Sequence, residues 1–136
     1  MTVYKPIEQQ AKEWQQALRL MDWDITVEVI SRAEFDYKYP KYAGQECTGM
    51  NSRDWHHHGS VISLVDTIYL EEDLVHELSH MLLDPFQLLV EEVIEYLPAE
   101  LKDFSTTALK HRLEESVNMV ATALINARKV DKSCND

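Results

Sequence analysis

The amino-acid sequence opens with a helical stripe that gives way to a strand. The stripe, with intervals of three and four residues, consists of Ile7, Ala11, Trp14, Leu18 and Met21. This spacing predicts a helix that begins just after Pro6 and packs through one face. Residues 23–30 then alternate apolar with polar side chains and are rich in β-branched residues, which predicts a strand.

The periodicity weakens between residues 31 and 60, where aromatic residues are interleaved with charged ones and with a proline and two glycines. This composition predicts loops and one strand at about residues 43–51. Residues 61–65 form a short apolar run between Gly59 and Asp66. The β-branched content of that run predicts a second strand, which leads directly into a helix.

Two amphipathic helices are predicted next. Residues 70–83 carry the first, which is expected to end at Asp84 because Pro85 interrupts a helix. Residues 86–97 carry the second, which is expected to stop at Pro98. The solvated face of this second helix is predicted to consist of Glu91, Glu92 and Glu95.

A last long helix is predicted from Ser105 or Thr106, whose hydroxyls can cap its first turn. Its apolar stripe comprises Leu109, Leu113, Val117, Val120, Ala121, Leu124 and Ile125. The order of elements predicts an α+β domain with an N-terminal helix, a small, mostly antiparallel sheet, a motif-bearing helix and C-terminal helices. We expect one domain over residues 1–128 and a frayed tail over residues 129–136.

The charge and composition exclude several classes of function. With 24 acidic against 13 basic residues among 136, the net charge of −11 would repel phosphate backbones, so we expect no nucleic-acid partner. No apolar run approaches a membrane span and the start lacks the order of a signal peptide, so we expect no membrane partner and a cytoplasmic location. Cys47 and Cys134 form no C-x-x-C pair and are interpreted as free thiols.

The strongest chemical signal is the stretch His-Glu-Leu-Ser-His at residues 76–80. On a helix, His76 and His80 project from the same face, so both ring nitrogens can bind one metal ion. Glu77 lies one step round the helix, where it can reach a metal-bound water without becoming a ligand, as a general base must. The opposite side of the helix is predicted to be buried through Leu74, Val75, Leu78, Met81 and Leu82.

A catalytic zinc ion usually takes three protein ligands and leaves one position for water. The downstream glutamates that could supply the third ligand are Glu91, Glu92, Glu95, Glu100, Glu114 and Glu115. Helical phase separates the last two, because Glu114 shares an arc with Val117 whereas Glu115 points nearly opposite the apolar stripe. A carboxylate on a buried arc needs a partner, which a zinc ion would provide.

The motif at residues 76–80 resembles the active-site helix of the zincin metallopeptidases. The run from Glu114 to Ala121, E-x-x-V-N-x-V-A, is similar to the E-x-x-A-N-x-F-A run of gluzincin-type peptidases of the phage and bacterial ImmA/IrrE kind. The resemblance implies a minimal zincin-like domain with Zn²⁺ as cofactor and a peptide or protein as substrate. It implies His76, His80 and Glu114 as ligands, with Asn118 supporting a zinc-bound histidine.

The resemblance also implies that a sheet edge lies near the cleft, where a peptide substrate can add by backbone pairing. The donor to the reacting oxyanion stays open between His111, one turn before Glu114, and Tyr96. The consecutive histidines 56–58 alternate faces in an extended chain, so we interpret them as a solvated loop beside Trp55 rather than a second metal site. A substrate-contacting loop and adventitious metal binding are the alternatives.

The sequence therefore predicts a zinc metallopeptidase that hydrolyses peptide bonds with a zinc-bound water activated by Glu77. One alternative is a non-catalytic binding protein that keeps a zincin fold, with a structural metal or none. The intact Glu77 argues against that alternative, because a structural site has no need of a base. Another alternative is zinc-dependent hydrolysis of an amide that is not a peptide.

Overall fold

The computed structural model describes residues 6–134, and their side chains as far as Lys129. These residues form helices α1 (Ile7–Ala17), α2 (Arg32–Lys38), α3 (Leu70–Glu95) and α4 (Ala99–Cys134), a short 3₁₀ helix (Pro40–Tyr42), and strands β1 (Asp24–Ile30), β2 (Gly49–Asp54) and β3 (Gly59–Val65). The α+β prediction is confirmed. The chain divides into two compact units, Met1–Glu77 and Leu78–Asp136, with the boundary inside α3. The single domain over residues 1–128 stays a prediction.

Helix α1 begins directly after Pro6, as predicted, and buries Ala11 and Trp14. The predicted stripe does not extend to Met21, whose exposed fraction is 63%. The helix ends because the chain turns at Arg19, which adopts a positive φ of 58°. Residues beyond that turn are no longer in helical phase with the stripe, so periodicity alone misplaces Met21.

The sheet has three strands in the order β1–β3–β2, so β3 is central. Strand β2 pairs antiparallel with β3, because only a tight turn joins them, whereas β1 pairs parallel with β3 across a longer connection that includes α2. The expectation of a mostly antiparallel sheet is therefore wrong, since one of the two pairings is parallel. Ile62 and Leu64 of β3 are fully buried, as central strand positions require.

Helix α2 lies in the region where the sequence predicts loops. Ser31 caps it by accepting a hydrogen bond from the Glu34 backbone N–H at 3.2 Å, and the pair forms the start of a capping box. The Phe35 side chain of this short helix is fully buried in the first unit. Strand β2 begins at Gly49 rather than at residue 43, so the predicted strand overlaps the observed one only in its last residues.

Helix α3 continues through Pro85 to Glu95, so the break predicted at Asp84 does not occur. Proline removes one backbone hydrogen bond and crowds the preceding turn, which bends a helix without always ending it. The two helices predicted for residues 70–83 and 86–97 are therefore one continuous helix in the structure. The residues after Pro85 keep the helical spacing of the predicted second helix, yet most of their apolar side chains are exposed.

Helix α4 begins at Ala99, directly after Pro98, and not at Ser105 or Thr106. The first turn is made of residues with high helix propensity, and a helix commonly starts next to a proline. Val117, Ala121 and Ile125 are buried, as their stripe predicts. The helix also continues through Cys134, so residues 129–134 are helical rather than a frayed tail, and residues 135 and 136 lie outside the described residues.

Candidate metal centre

Helix α3 carries all three residues of the histidine–glutamate motif. His76 and His80 are half-buried, and the exposed fraction of Glu77 is 7%. The side of the helix predicted to be buried is confirmed for Leu74, Val75, Leu78 and Met81, while Leu82 is half-buried. Burial of that side fixes the rotation of the helix, and therefore the direction of the two imidazoles.

Glu114 of α4 lies next to the second histidine. Its Oε2 atom is 3.5 Å from Nε2 of His80, and ligand atoms of His76, His80 and Glu114 lie within 4.8 Å of one another. Two ligand atoms on a tetrahedral zinc ion, each bound at 2.0–2.1 Å, are separated by about 3.3 Å. The His80–Glu114 distance is therefore close to that of two ligands sharing one ion. Two histidines and a carboxylate are also the donor set of many catalytic zinc sites.

The neighbouring glutamate on α4 has a different environment. Glu115 forms an ion pair with Arg112 on the surface, with 3.2 Å between Oε2 and Nη1. The side chains of Glu115 and Glu114 are 64% and 53% exposed, so the expectation that Glu114 lies on a buried arc is wrong. Two of the other candidate glutamates also have partners within the second unit: Glu95 pairs with Lys102 at 3.7 Å, and Glu91 accepts a hydrogen bond from Gln87 at 3.0 Å. Among the described residues, Glu114 alone joins the two histidines in a cluster that could hold a metal ion.

The sheet contacts Glu77 from strand β2. The Asn51 side chain donates a hydrogen bond to the Glu77 backbone carbonyl at 3.1 Å, and Ser60 in turn donates to Oδ1 of Asn51 at 2.6 Å. A Cβ atom built on Gly49 would come within 2.9 Å of Oε1 of Glu77, so only glycine leaves that space free. Asn51 is itself buried, and its hydrogen bond holds the backbone of Glu77 against β2, while the missing side chain at Gly49 leaves room for the carboxylate.

Asp73 lies one turn before His76, and sequence reasoning assigned it no role beyond the charge of the first helical turn. Its carboxyl is half-buried, and burial raises its pKa against the opposing effect of a hydrogen bond from Thr48. The Oδ2 atom is buried without a hydrogen-bond partner.

The remaining predicted site residues are placed differently. Tyr96 follows the end of α3, sixteen positions beyond His80, which corresponds to about 24 Å along a helix axis. Its role as oxyanion donor stays a prediction. His111 and Asn118 are both exposed on α4, one turn to either side of Glu114. Their roles as oxyanion donor and as support for a histidine stay predictions.

The three consecutive histidines occupy the turn between β2 and β3 and do not converge. His57 Nδ1 lies 2.8 Å from the Asp54 carboxylate, whereas His58 Nδ1 lies 3.1 Å from that of Asp22. The His58 ring also stacks on Trp23, with centroids 4.9 Å apart and planes inclined by 7°. His57 and His58 thus have different neighbours, and the His56 ring lies edge-on to that of His57 with centroids 4.9 Å apart. This loop contributes no member to any metal-binding cluster found within residues 6–134.

Comparison of the chain with protein-family models, curated proteins and solved structures gives no match. The function of the protein is consequently inferred from the residues of α3, α4 and the sheet alone. Within residues 6–134, no helix combines the length and the apolar character needed to cross a membrane.

Proposed function

We propose that this protein is a zinc-dependent metallopeptidase of the zincin type. His76, His80 and Glu114 would hold Zn²⁺, and Glu77 would act as the general base. The observation that carries the proposal is the 3.5 Å approach of Glu114 to His80, because α4 there supplies the third donor that the motif on α3 lacks. When bound by such ligands, zinc lowers the pKa of a water molecule to about 7 and polarises a carbonyl group.

Glu77 is suited to moving a proton. It lies between the two histidines on α3 and is not a member of the ligand cluster, so it could act on a zinc-bound water without itself being a ligand. Its oxygens would accept the proton of the attacking water and later return it to the nitrogen of the departing amine. The contacts with Gly49 and Asn51 favour this role, because a base must be held in a fixed position to act efficiently.

The sheet suggests how a peptide would be bound. Strand β2 is an edge strand of the three-stranded sheet, and its first residue, Gly49, is the one that contacts Glu77. An extended peptide can add to such an edge through backbone hydrogen bonds, which are independent of its sequence. A peptide paired with β2 would run past the carboxylate, so we favour peptide or protein substrates over small amides.

The proposal is tested by measuring zinc content and hydrolysis together. The purified chain, loaded with zinc and then dialysed, is expected to retain about one zinc ion per molecule and to cleave dye-labelled casein. Glu77→Gln is expected to retain the zinc and the fold but to lose hydrolysis, since the change removes the base and no ligand. Equal turnover by Glu77→Gln and the unmodified chain, or the absence of stoichiometric zinc, would overturn the proposal.

A further inference from the structure

The part of α3 beyond Pro85 carries apolar side chains that are not covered. Phe86, Leu89, Val90 and Val93 stand at positions i, i+3, i+4 and i+7 of one helical stripe, and we call these four residues the exposed apolar face. Their exposed fractions are 68%, 59%, 39% and 57%. Tyr96, just after the helix, is 91% exposed and lies at the end of the same stripe. Together they expose on the order of several hundred Å² of apolar surface.

The exposed apolar face differs from the buried stripe of α4. The same sequence pattern predicts a buried stripe, but in this part of α3 only Ile94 is buried, with an exposed fraction of 8%. The buried apolar residues of α4 are Val117, Ala121 and Ile125, which lie much further along the chain. A contiguous apolar patch of this size on a folded chain marks an interaction surface more often than a random feature.

The charges beside the exposed apolar face are almost all negative. On the remaining circumference of the helix stand the exposed residues Glu91, Glu92 and Glu95, and the start of α4 adds Glu100 and Asp103. The one basic side chain between residues 86 and 104 is Lys102, and it is paired with Glu95 at 3.7 Å. The face is therefore apolar at its centre and acidic at its margin.

From this combination we infer that the exposed apolar face binds a partner protein through a basic amphipathic helix. The anchor spacing matches helix-to-surface recognition, in which residues at i, i+3, i+4 and i+7 supply the apolar contact. An acidic margin complements Lys and Arg residues that flank the partner's apolar stripe. A second copy of this chain would place two acidic margins against each other, which is unfavourable. A membrane surface is also disfavoured, because helices that lie on anionic lipid carry Lys and Arg instead.

The test uses two synthetic peptides with identical composition. The first contains leucine and lysine over about 18 residues, with the leucines on one helical stripe, and the second is a scrambled form without that stripe. Fluorescence anisotropy of the labelled peptides is measured against the full chain at low and at high salt. We expect the amphipathic peptide to bind at least about tenfold more tightly than the scrambled one, and its affinity to fall as salt screens the acidic margin.

Variants of the chain locate the binding site. Leu89→Ser together with Val93→Ser is expected to weaken binding of the amphipathic peptide by about tenfold or more, because central apolar contacts dominate such interfaces. Both residues are exposed, so the double variant should keep the melting temperature of the unmodified chain. Met119→Ser is the matched control: Met119 is an apolar residue of α4 that is 74% exposed and lies outside the face.

Five results would overturn the inference. Equal binding of the two peptides, or binding unchanged in the double variant, would reduce the interaction to unspecific charge attraction. A lowered melting temperature in the double variant would mean that the face is packed within the folded chain. Sedimentation velocity showing dimers that the double variant abolishes would make the occupant a second copy. Binding to phosphatidylserine vesicles that the double variant abolishes would make it a membrane.

Discussion

Gly49 approaches Glu77 so closely that a Cβ atom in its place would lie 2.9 Å from Oε1 of the glutamate. The same atom would lie 3.2 Å from the Glu77 Cγ and 3.3 Å from a methyl group of Leu64. The far end of a glutamate side chain moves easily, so Gly49→Ala is expected to displace the carboxylate at little cost to the fold. We predict that Gly49→Ala retains zinc and loses most casein hydrolysis, as even small displacements of a catalytic group slow a reaction by large factors.

The matched control for that variant is Gly59→Ala at the start of β3. A Cβ atom on Gly59 would meet nothing within 4 Å, so this change should leave hydrolysis and melting temperature nearly unchanged. Reduced zinc content in Gly49→Ala, or similar activity of the two alanine variants, would show that Gly49 has no specific effect on the position of Glu77.

The ligand set predicts a sharp difference between adjacent glutamates. Glu114→Ala leaves two histidines and should lower zinc affinity by orders of magnitude, because catalytic zinc requires three protein ligands for firm binding. Glu115→Ala should retain the metal and change the free energy of unfolding by no more than about 0.5 kcal/mol, as expected for an exposed ion pair with Arg112. Zinc content after dialysis against a mild chelator measures both effects, and loss of metal from Glu115→Ala alone would exclude the proposed ligand set.

The proposed histidine ligands would couple zinc binding to stability. Metal that binds only the native state stabilises it by mass action, so added zinc should raise the melting temperature of the unmodified chain. This rise should disappear in His76→Ala and in His80→Ala. Differential scanning fluorimetry with and without zinc measures it, with His57→Ala in the β2–β3 turn as a control that keeps the response. A full zinc response in either ligand variant would place the metal elsewhere.

Asp73 is expected to support zinc binding through His76. Since its Oδ2 atom is buried and unpartnered, it is available to accept the second ring N–H of His76 when the other nitrogen holds zinc. Asp73→Asn should therefore weaken zinc affinity by about 10–100-fold, the usual effect of losing such a partner, without removing a ligand. Competition with a chromogenic chelator gives the affinity. An exposed acidic neighbour, changed as Glu72→Gln, should have little effect, and equal losses in both variants would point to overall charge instead.

Local patterns in the sequence predicted the motif helix and its surroundings well. The spacing of apolar residues within residues 70–83 correctly predicted the buried side of α3, because apolar residues three and four positions apart lie on one side of a helix. The alternation in residues 23–30 gave β1 almost to the residue. Helical phase placed Glu114 on the arc of the buried Val117, but the Glu114 side chain is 53% exposed although it lies 3.5 Å from His80.

Features that depend on distant parts of the chain were not predictable in this way. The continuation of α3 through Pro85 was not predicted, because the intrinsic preference of proline indicates a break at this position. The contacts of Gly49 and Asn51 with Glu77 join β2 to a helix that begins well after it in sequence. The spacing of apolar residues along the sequence carries no information about such a contact. Helix α2 is a different case, because the S-x-x-E pattern of Ser31 and Glu34 marks its start in the sequence, but the interleaved aromatic and charged residues led to a prediction of loops.

Helix α2 is attached to the sheet by a side-chain pair whose contribution to stability depends on pH. Glu28 of β1 pairs with Lys38 of α2 and accepts a hydrogen bond from Ser63 at 2.5 Å, and Ser63 is also 2.8 Å from the Tyr39 hydroxyl. The hydrogen bonds from Lys38 and Ser63 lower the pKa of Glu28. A carboxyl whose pKa is lower in the folded state contributes stability above its unfolded pKa, and that contribution is lost as pH falls through the folded value.

We therefore expect Glu28→Gln to reduce the melting temperature slightly near neutral pH and to flatten its fall between about pH 5 and the lowered pKa of Glu28. The effect should be small and should shrink in high salt, because both partners are partly exposed. Melting temperatures are measured from pH 7 to 3 in chelator-treated protein, so that metal release does not contribute. Glu46→Gln, an exposed carboxylate before β2, controls for the lost charge. If both variants flatten the profile equally, net charge rather than the Glu28–Lys38 pair sets the acid sensitivity.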